Sequence, residues 1–302
     1  MSEFSCSSPL EKTVVIVGVG MIGGSIAAAI KRRKVATCVI GVGRDSSRIE
    51  AARQAGLIDE AVTDISTVVS RADLVVFCTP VEHLAVDVQS AATLLRNSKP
   101  DPTSDRGGRQ PLLTDVGSVK GPICSQLQSI PQFIGSHPIA GSHRQGFEAA
   151  NARLFDDRIC IVTPLAESPP TAVTRLEQFW QAIGMKTVQM SPDAHDAALA
   201  MTSHLPHVVA SALAMTLTDE NQLLTGSGFR DTTRIAAGDP GLWTGILLSN
   251  AEQVMRGIDE VQTRLAEFRA ALACLDAAET CRLLSLGQKS RKRLDETRNS
   301  TT

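Results

Sequence analysis

A β-branched run, Val14-Val15-Ile16-Val17, leads without a break into Gly18-Val19-Gly20-Met21-Ile22-Gly23-Gly24 and then into an alanine-rich helical pattern. No other stretch limits the possible folds as tightly. Strand, glycine turn and helix at this spacing open a βαβ unit that sets an anion on the helix N-terminus. Each glycine meets a different demand. Gly18 makes the turn, Gly20 lets backbone approach a pyrophosphate, and Gly23 lets the helix pack on the strand. A dinucleotide site is therefore expected, with Gly18, Gly20, Met21, Ile22 and Gly23 at its base.

The pattern beyond supports this start. Strand-like runs at 13–17, 37–42, 74–78, 112–115, 132–135, 158–163 and 186–190 alternate with helical patterns at 21–34, 46–55, 83–95 and 171–183. That alternation predicts a parallel sheet wrapped by helices on both faces. The segment 97–111, rich in Pro, Asp, Ser, Gly and Arg, reads as a mobile surface loop. After Ser191 strand signals vanish, and long apolar periodicities at 197–218 and 242–273 predict helices alone. The expected fold class is α/β: a Rossmann-type, doubly wound, mainly parallel sheet domain over 1–191, then an all-α domain over 192–302. The helical faces are too long for the sheet to cover, which predicts a homodimer through the helical domain.

Composition narrows the class. A formal charge of −2 with no basic block argues against nucleic acid and membrane surfaces and for a small uncharged or anionic metabolite. The seven cysteines are scattered without a CxxC pair, as in a cytoplasmic protein with neither disulfides nor a zinc site. Residues 1–11 form a polar tail rather than a signal peptide, and no later run reads as a bilayer span.

The second strand bears on the choice of nucleotide. Where an NAD site usually carries an acid, this chain has Gly43, followed by Arg44-Asp45-Ser46-Ser47-Arg48. Arg44 and Ser46 suit a 2′-phosphate, which favours NADP, while Asp45 keeps NAD open. Thr79 and Pro80, after Cys78 at a strand's carboxyl end, are expected to line the nicotinamide-ribose side. The runs Thr114-Asp115-Val116-Gly117-Ser118-Val119-Lys120-Gly121 and Gly135-Ser136-His137-Pro138 close two further strands. They place Ser118 and His137 in the same crevice, and an imidazole there can accept a proton from a hydroxyl as hydride leaves the same carbon.

Taken in order, GVGMIGG, DVGSVKG, HPIAGS, SHLPH and FRDTTRIA resemble the prephenate/arogenate dehydrogenase family of tyrosine biosynthesis across residues 13–290. The resemblance implies oxidation of a ring alcohol with loss of carbon dioxide, by hydride transfer to NAD(P) and without a metal. It implies that His137 takes the hydroxyl proton and that Ser118 orients His137. It also implies that His204, His207 and Ser142 reach the substrate, and that Arg234 pairs with a substrate carboxylate. Members selective for prephenate often carry an acid just after HPIAGS, so its absence here leaves arogenate as the alternative substrate. Here His143 and Arg144 stand there, which favours an anionic substrate and so prephenate over arogenate. A chain ending near 302 leaves no room for the regulatory or mutase domains of some relatives.

Two other readings compete. The β-hydroxyacid dehydrogenases share the glycine start but rely on a lysine early in the helical half, and no lysine lies between Lys186 and Lys289. A non-catalytic NAD(P)-sensing module would not need Ser118, His137, His207 and Arg234 together.

Overall fold

The computed structural model describes residues 9–97, 111–141 and 144–299. Its first half contains β1 (Glu11–Val17), α1 (Met21–Arg33), β2 (Ala36–Val42), α2 (Ser46–Gln54), β3 (Glu60–Val62), β4 (Leu74–Phe77) and α3 (Val81–Asn97). There follow β5 (Leu112–Asp115), α4 (Gly121–Leu127), β6 (Gly135–Pro138), β7 (Ile159–Thr163), α5 (Pro170–Ala182) and β8 (Lys186–Gln189). Five strands pair in parallel in the order β3-β2-β1-β4-β5. The order reverses between β1 and β4, so the glycine turn after β1 lies at the switch point where open α/β sheets bind ligands.

A parallel bridge, Leu113 to Phe133, carries the sheet onward to β6. The carboxyl end of β6 therefore lies at the same sheet edge as those of β1, β4 and β5. The parallel pattern breaks at the next pair, because β6 and β7 run antiparallel while β7 and β8 are parallel. A parallel neighbour needs a crossover, usually a helix. Between β6 and β7 the only described element is a short 3-10 turn, Phe147–Ala149.

The run Val14-Val15-Ile16-Val17 has no polar alternation because both faces of β1 are covered. Val14 and Ile16 pack with Ile26, Ile30, Phe179 and Trp180 on one face. Val15 packs with Phe77, Leu84, Val88 and Phe133 on the other. The sequence pattern misses β3, too short for a period of two, and α4, whose opening Gly121-Pro122 reads as a turn.

The helical half holds α6 (Pro192–Leu199), a π turn (Ala200–His204), α7 (Leu205–Ala214), α8 (Ser227–Thr233), α9 (Pro240–Ser249), α10 (Ala251–Ala273) and α11 (Ala277–Asn299). Both long periodicities are thus broken. Pro206 lacks the N–H that would close the helix onto the Thr202 carbonyl, and the ladder widens just before it. At Asn250 the backbone leaves the helix, with φ −125°, between α9 and α10. By length and composition Pro192–Ala214 is apolar enough to cross a bilayer, which corrects the expectation of no such run. That stretch is interrupted by the π turn and carries the buried polar residues His195, Asp196, His204 and His207.

By packing the chain forms two compact units, Met1–Ala251 and Glu252–Thr302. The second is the rest of α10 with α11. Ion pairs one turn apart, such as Arg256–Glu252 and Arg264–Glu260, lie on its surface beside exposed Leu265, Leu272, Leu284 and Leu294.

Candidate active site

Gly18 sits at φ +91°, and a Cβ there would lie 2.9 Å from the Cys78 carbonyl oxygen. On Gly23 a Cβ would fall 2.2 Å from the carbonyl oxygen of Gly18. Side chains are therefore excluded at both positions by protein backbone. Gly20 is different, since a Cβ added there would meet no described atom within 4 Å and the backbone faces open space. Gly20 also begins α1 without a side-chain cap, and the first turn holds no acid. The free amides of Met21 and Ile22 and the helix dipole are thus left for an outside anion. These residues fit the pyrophosphate of a dinucleotide.

On the second strand's side, Oδ1 of Asp45 caps α2, accepting from Ser47 N (2.9 Å), Ser47 Oγ (2.7 Å) and Arg48 N (3.1 Å). Arg44 and Ser46 beside it are exposed. Arg44 has no ion-pair partner among the described residues. After β4, the Thr79 hydroxyl donates to Asp87 of α3 at 2.6 Å, and the Pro80 carbonyl accepts from His83 N in the first turn of α3.

His137 lies on β6, at the edge shared with the glycine turn. Its Nδ1 is 2.8 Å from Nε2 of His195, whose own Nδ1 is 2.7 Å from Oδ1 of Asp196. The Asp196 carboxylate in turn accepts from the backbone amides of Lys120 and Gly121, each at 2.7 Å. Burial pushes the His137 pKa well below the ordinary histidine value, and the neighbouring His195, Lys120 and His204 add to the effect. A neutral imidazole is the form able to accept a proton.

Beneath His137 the Lys120 ammonium meets the Asp115 carboxylate, and neither side chain reaches solvent. Lys120 Nζ also donates to the Ser136 carbonyl at 2.9 Å, and Asp115 accepts from Ser136 N at 3.2 Å and Gly117 N at 2.8 Å. The Ser136 hydroxyl is held between Thr114 (2.8 Å) and the indole N–H of Trp180 (3.0 Å). Much of the 114–121 motif is therefore scaffold for the end of β6. Ser118 lies half-buried in that loop. The Nδ1 of His137 is held by His195.

From the helical half, Asn250 Nδ2 donates to the Asp196 carbonyl at 2.8 Å and to Nδ1 of His204 at 3.2 Å. The carbonyl contact fixes the amide's orientation, so His204 Nδ1 is an acceptor and its Nε2 carries the hydrogen. That Nε2 is buried and has no partner among the described residues, as is also true of His207 Nδ1. His207 lies flat on Trp243, with ring centroids 3.7 Å apart and planes 13° apart. Burial lowers the pKa of both, that of His204 to about 4. Buried polar nitrogens without partners are rare enough to mark a place where another molecule binds.

Arg234 begins a 3-10 turn, Arg234–Ala237, that packs on α7. It is exposed and, among the described residues, has no ion-pair partner, Asp231 included. Ser142 and His143 lie outside the described residues, as does nearly all of the 97–111 segment. Sequence reasoning missed His195, Asp196, Trp243 and Asn250. For the first two a signal existed, an adjacent His-Asp pair inside an otherwise apolar helical run.

Comparison with known proteins places these features in a wider group. Residues 26–189 match the family model described as prephenate dehydrogenase, nucleotide-binding domain, and residues 191–286 that described as prephenate dehydrogenase, dimerization domain. A prephenate dehydrogenase of Bacillus subtilis is 33% identical over 280 residues, covering 89% of this chain and 72% of that one. A cyclohexadienyl dehydrogenase of Zymomonas mobilis is also 33% identical, over 290 residues, covering 93% and 95%. The crystal structure of prephenate dehydrogenase from Aquifex aeolicus, in complex with hydroxyphenyl propionate and NAD+, is similar with a TM-score of 0.83 and 31% identity. That match covers 94% of this chain and 98% of the other.

Proposed function

The chain belongs to the prephenate dehydrogenase family, and from that premise we propose that it oxidises prephenate to 4-hydroxyphenylpyruvate, with loss of carbon dioxide, in tyrosine biosynthesis. The observation that carries this reading is His137, held at Nδ1 by His195 on the sheet edge that also bears the glycine turn. A nicotinamide dinucleotide bound at that turn supplies the hydride acceptor.

The chain's own residues do the rest. His137 Nε2 takes the proton of the ring hydroxyl while the C–H bond at the same carbon breaks and its electron pair leaves as hydride. The bond to the ring carboxylate then breaks, its electrons complete the aromatic ring as carbon dioxide departs, and His137 returns the proton to the ring oxygen to leave the phenol. Ser118, in the loop after β5, contacts the same hydroxyl. Arg234 offers its guanidinium fork to a substrate carboxylate. His204 Nε2–H and His207 supply hydrogen bonds that the protein leaves unsatisfied. Ser142 and His143 complete the substrate side, and a basic His143-Arg144 pair favours prephenate over arogenate.

The family's cofactor is a nicotinamide dinucleotide, and we assign the preference to NADP. Arg44 is exposed and unpaired among the described residues, Gly43 stands where an acid would exclude a phosphate, and Oδ1 of Asp45 is engaged in capping α2. We assign the functional division to 191/192, a reading supported by family models that cover 26–189 and 191–286. The helical half forms a homodimer, a reading supported by its dimerization-domain match and by exposed leucines on α10 and α11. A cytoplasmic location accords with its free cysteines.

The test is to offer prephenate and arogenate, each with NAD and with NADP, and follow the near-ultraviolet absorbance of reduced nicotinamide. Turnover greatest with prephenate and NADP is expected. No reduced nucleotide in any of the four mixtures would refute the dehydrogenase reading, and preference for arogenate would move the assignment to that substrate.

A further inference from the structure

We infer that Asp196, acting through His195, fixes the tautomer of His137 and thereby decides which ring nitrogen is free to accept the substrate's proton. The inference deepens the proposed function, since it concerns how the base is prepared.

Two groups at the far end of the chain of contacts have roles that leave no choice. The amides of Lys120 and Gly121 can only donate, and both point at the Asp196 carboxylate, at 2.7 Å each. Each carboxylate oxygen is thereby an acceptor, Oδ1 from Lys120 N and Oδ2 from Gly121 N. The third group on it, His195 Nδ1 at 2.7 Å, must then be the donor. The tautomer of His195 with its hydrogen on Nδ1 presents a lone pair at Nε2. That lone pair lies 2.8 Å from His137 Nδ1, so His137 carries its hydrogen there. Its Nε2 is left as the proton acceptor.

The same relay receives the charge afterwards. When Nε2 gains the hydroxyl proton, the His137 Nδ1–H bond polarises towards His195, and the His195 Nδ1–H bond towards the Asp196 carboxylate. Burial, His195, Lys120 and His204 all oppose that positive charge on His137. Asp196 is the acid aligned to offset them. His195 is fully buried and acts through His137, which makes it a positioning residue rather than a catalytic one.

Asp196 itself is a poor probe, because its amide would turn a donor towards Lys120 N or Gly121 N. The informative changes are His195→Phe, which removes both ring nitrogens, and His195→Gln, whose amide oxygen can still accept from His137. Nitrogen NMR of isotopically labelled histidines, with His137 assigned through His137→Asn, reads the tautomer directly. The wild type should show His137 protonated on Nδ1, and His195→Phe should move that proton to Nε2. In turnover, His195→Phe should lower kcat by about 100-fold with KM for both substrates little changed, and His195→Gln should regain part of the loss.

A wild-type His137 protonated on Nε2 would overturn the inference, and so would an unchanged tautomer in His195→Phe. The wild-type spectrum decides the matter even if His195→Phe fails to fold. It also does so independently of turnover, so an inactive wild type would sink the dehydrogenase reading without obscuring this one.

Discussion

Lys120 and Asp115 face each other as an ion pair from which solvent is excluded on both sides. Between them they hold the backbone of Ser136 by its carbonyl and its amide, the residue immediately before His137. The pair therefore sets the position of the proposed base without touching any reacting atom. Such pairs add little net stability relative to an apolar pair of the same shape, but half of one is strongly destabilising.

Lys120→Met should accordingly lower stability by about 3–5 kcal/mol, measured by denaturant unfolding. Asp115→Asn in the same chain should recover part of that loss, because no bare carboxylate is then buried. A single-variant loss below about 1 kcal/mol would mean that Asp115 finds water or another partner.

His137→Asn keeps a polar side chain on β6 and removes the proton acceptor. The expected loss in kcat is about 100- to 10,000-fold, with nucleotide affinity by fluorescence titration unchanged. Full turnover would show that another group serves as the base.

Arg44→Ala should weaken NADP far more than NAD. A charge-assisted contact contributes roughly 1.5–3 kcal/mol, so kcat/KM with NADP should fall by about 10-fold or more. Equal losses with the two nucleotides would place the 2′-phosphate elsewhere.

Arg234→Ala should raise KM for the dicarboxylate by about 10- to 100-fold, and Arg234→Lys should restore only part of it, since a lysine lacks the planar fork. If kcat/KM is unaffected, the carboxylate is bound by another cation.

Buried histidines also give stability a pH dependence. His204 is depressed to about 4 and His137 lies well below its ordinary value of 6.5, so both are neutral in the folded chain near neutral pH. Between 6.5 and about 4 the unfolded chain binds more protons than the folded one. Stability should therefore fall as pH drops through that window, and these groups contribute no slope above it. Thermal midpoints across a pH series measure this. His204→Phe should decline less steeply, and a wild-type profile flat from about pH 7 to about pH 5 would contradict the assignment.

Sequence made some of this legible and hid the rest for identifiable reasons. Gly18, Gly20 and Gly23 could be read because each is required by local backbone geometry, which neighbours in the chain determine. The position of His137 followed from strand order, since parallel neighbours finish at one edge. The reversal at β7 was invisible because a five-residue strand carries no mark of direction. His195 and Asp196 were missed because their roles depend on partners 58 and 76 residues away, His137 and Lys120. The long helical pattern through 197–218 hid its own break, because apolar spacing does not record a carbonyl that Pro206 cannot serve.

That break has a consequence for what counts as sameness in such a chain. Successive α-helical residues are set about 100° apart. Nine steps separate His195 from His204, and in an unbroken helix they would leave the two rings on nearly opposite sides. The π turn absorbs one step, and Asn250 is then able to touch both the Asp196 carbonyl and His204. The π turn is thus as much a part of the site as the histidines. A variant shortened by one residue within 200–203 would reach the same phase by a plain α-helical turn, whereas the full-length chain forced into an unbroken α-helix there would carry His204 away from Asn250.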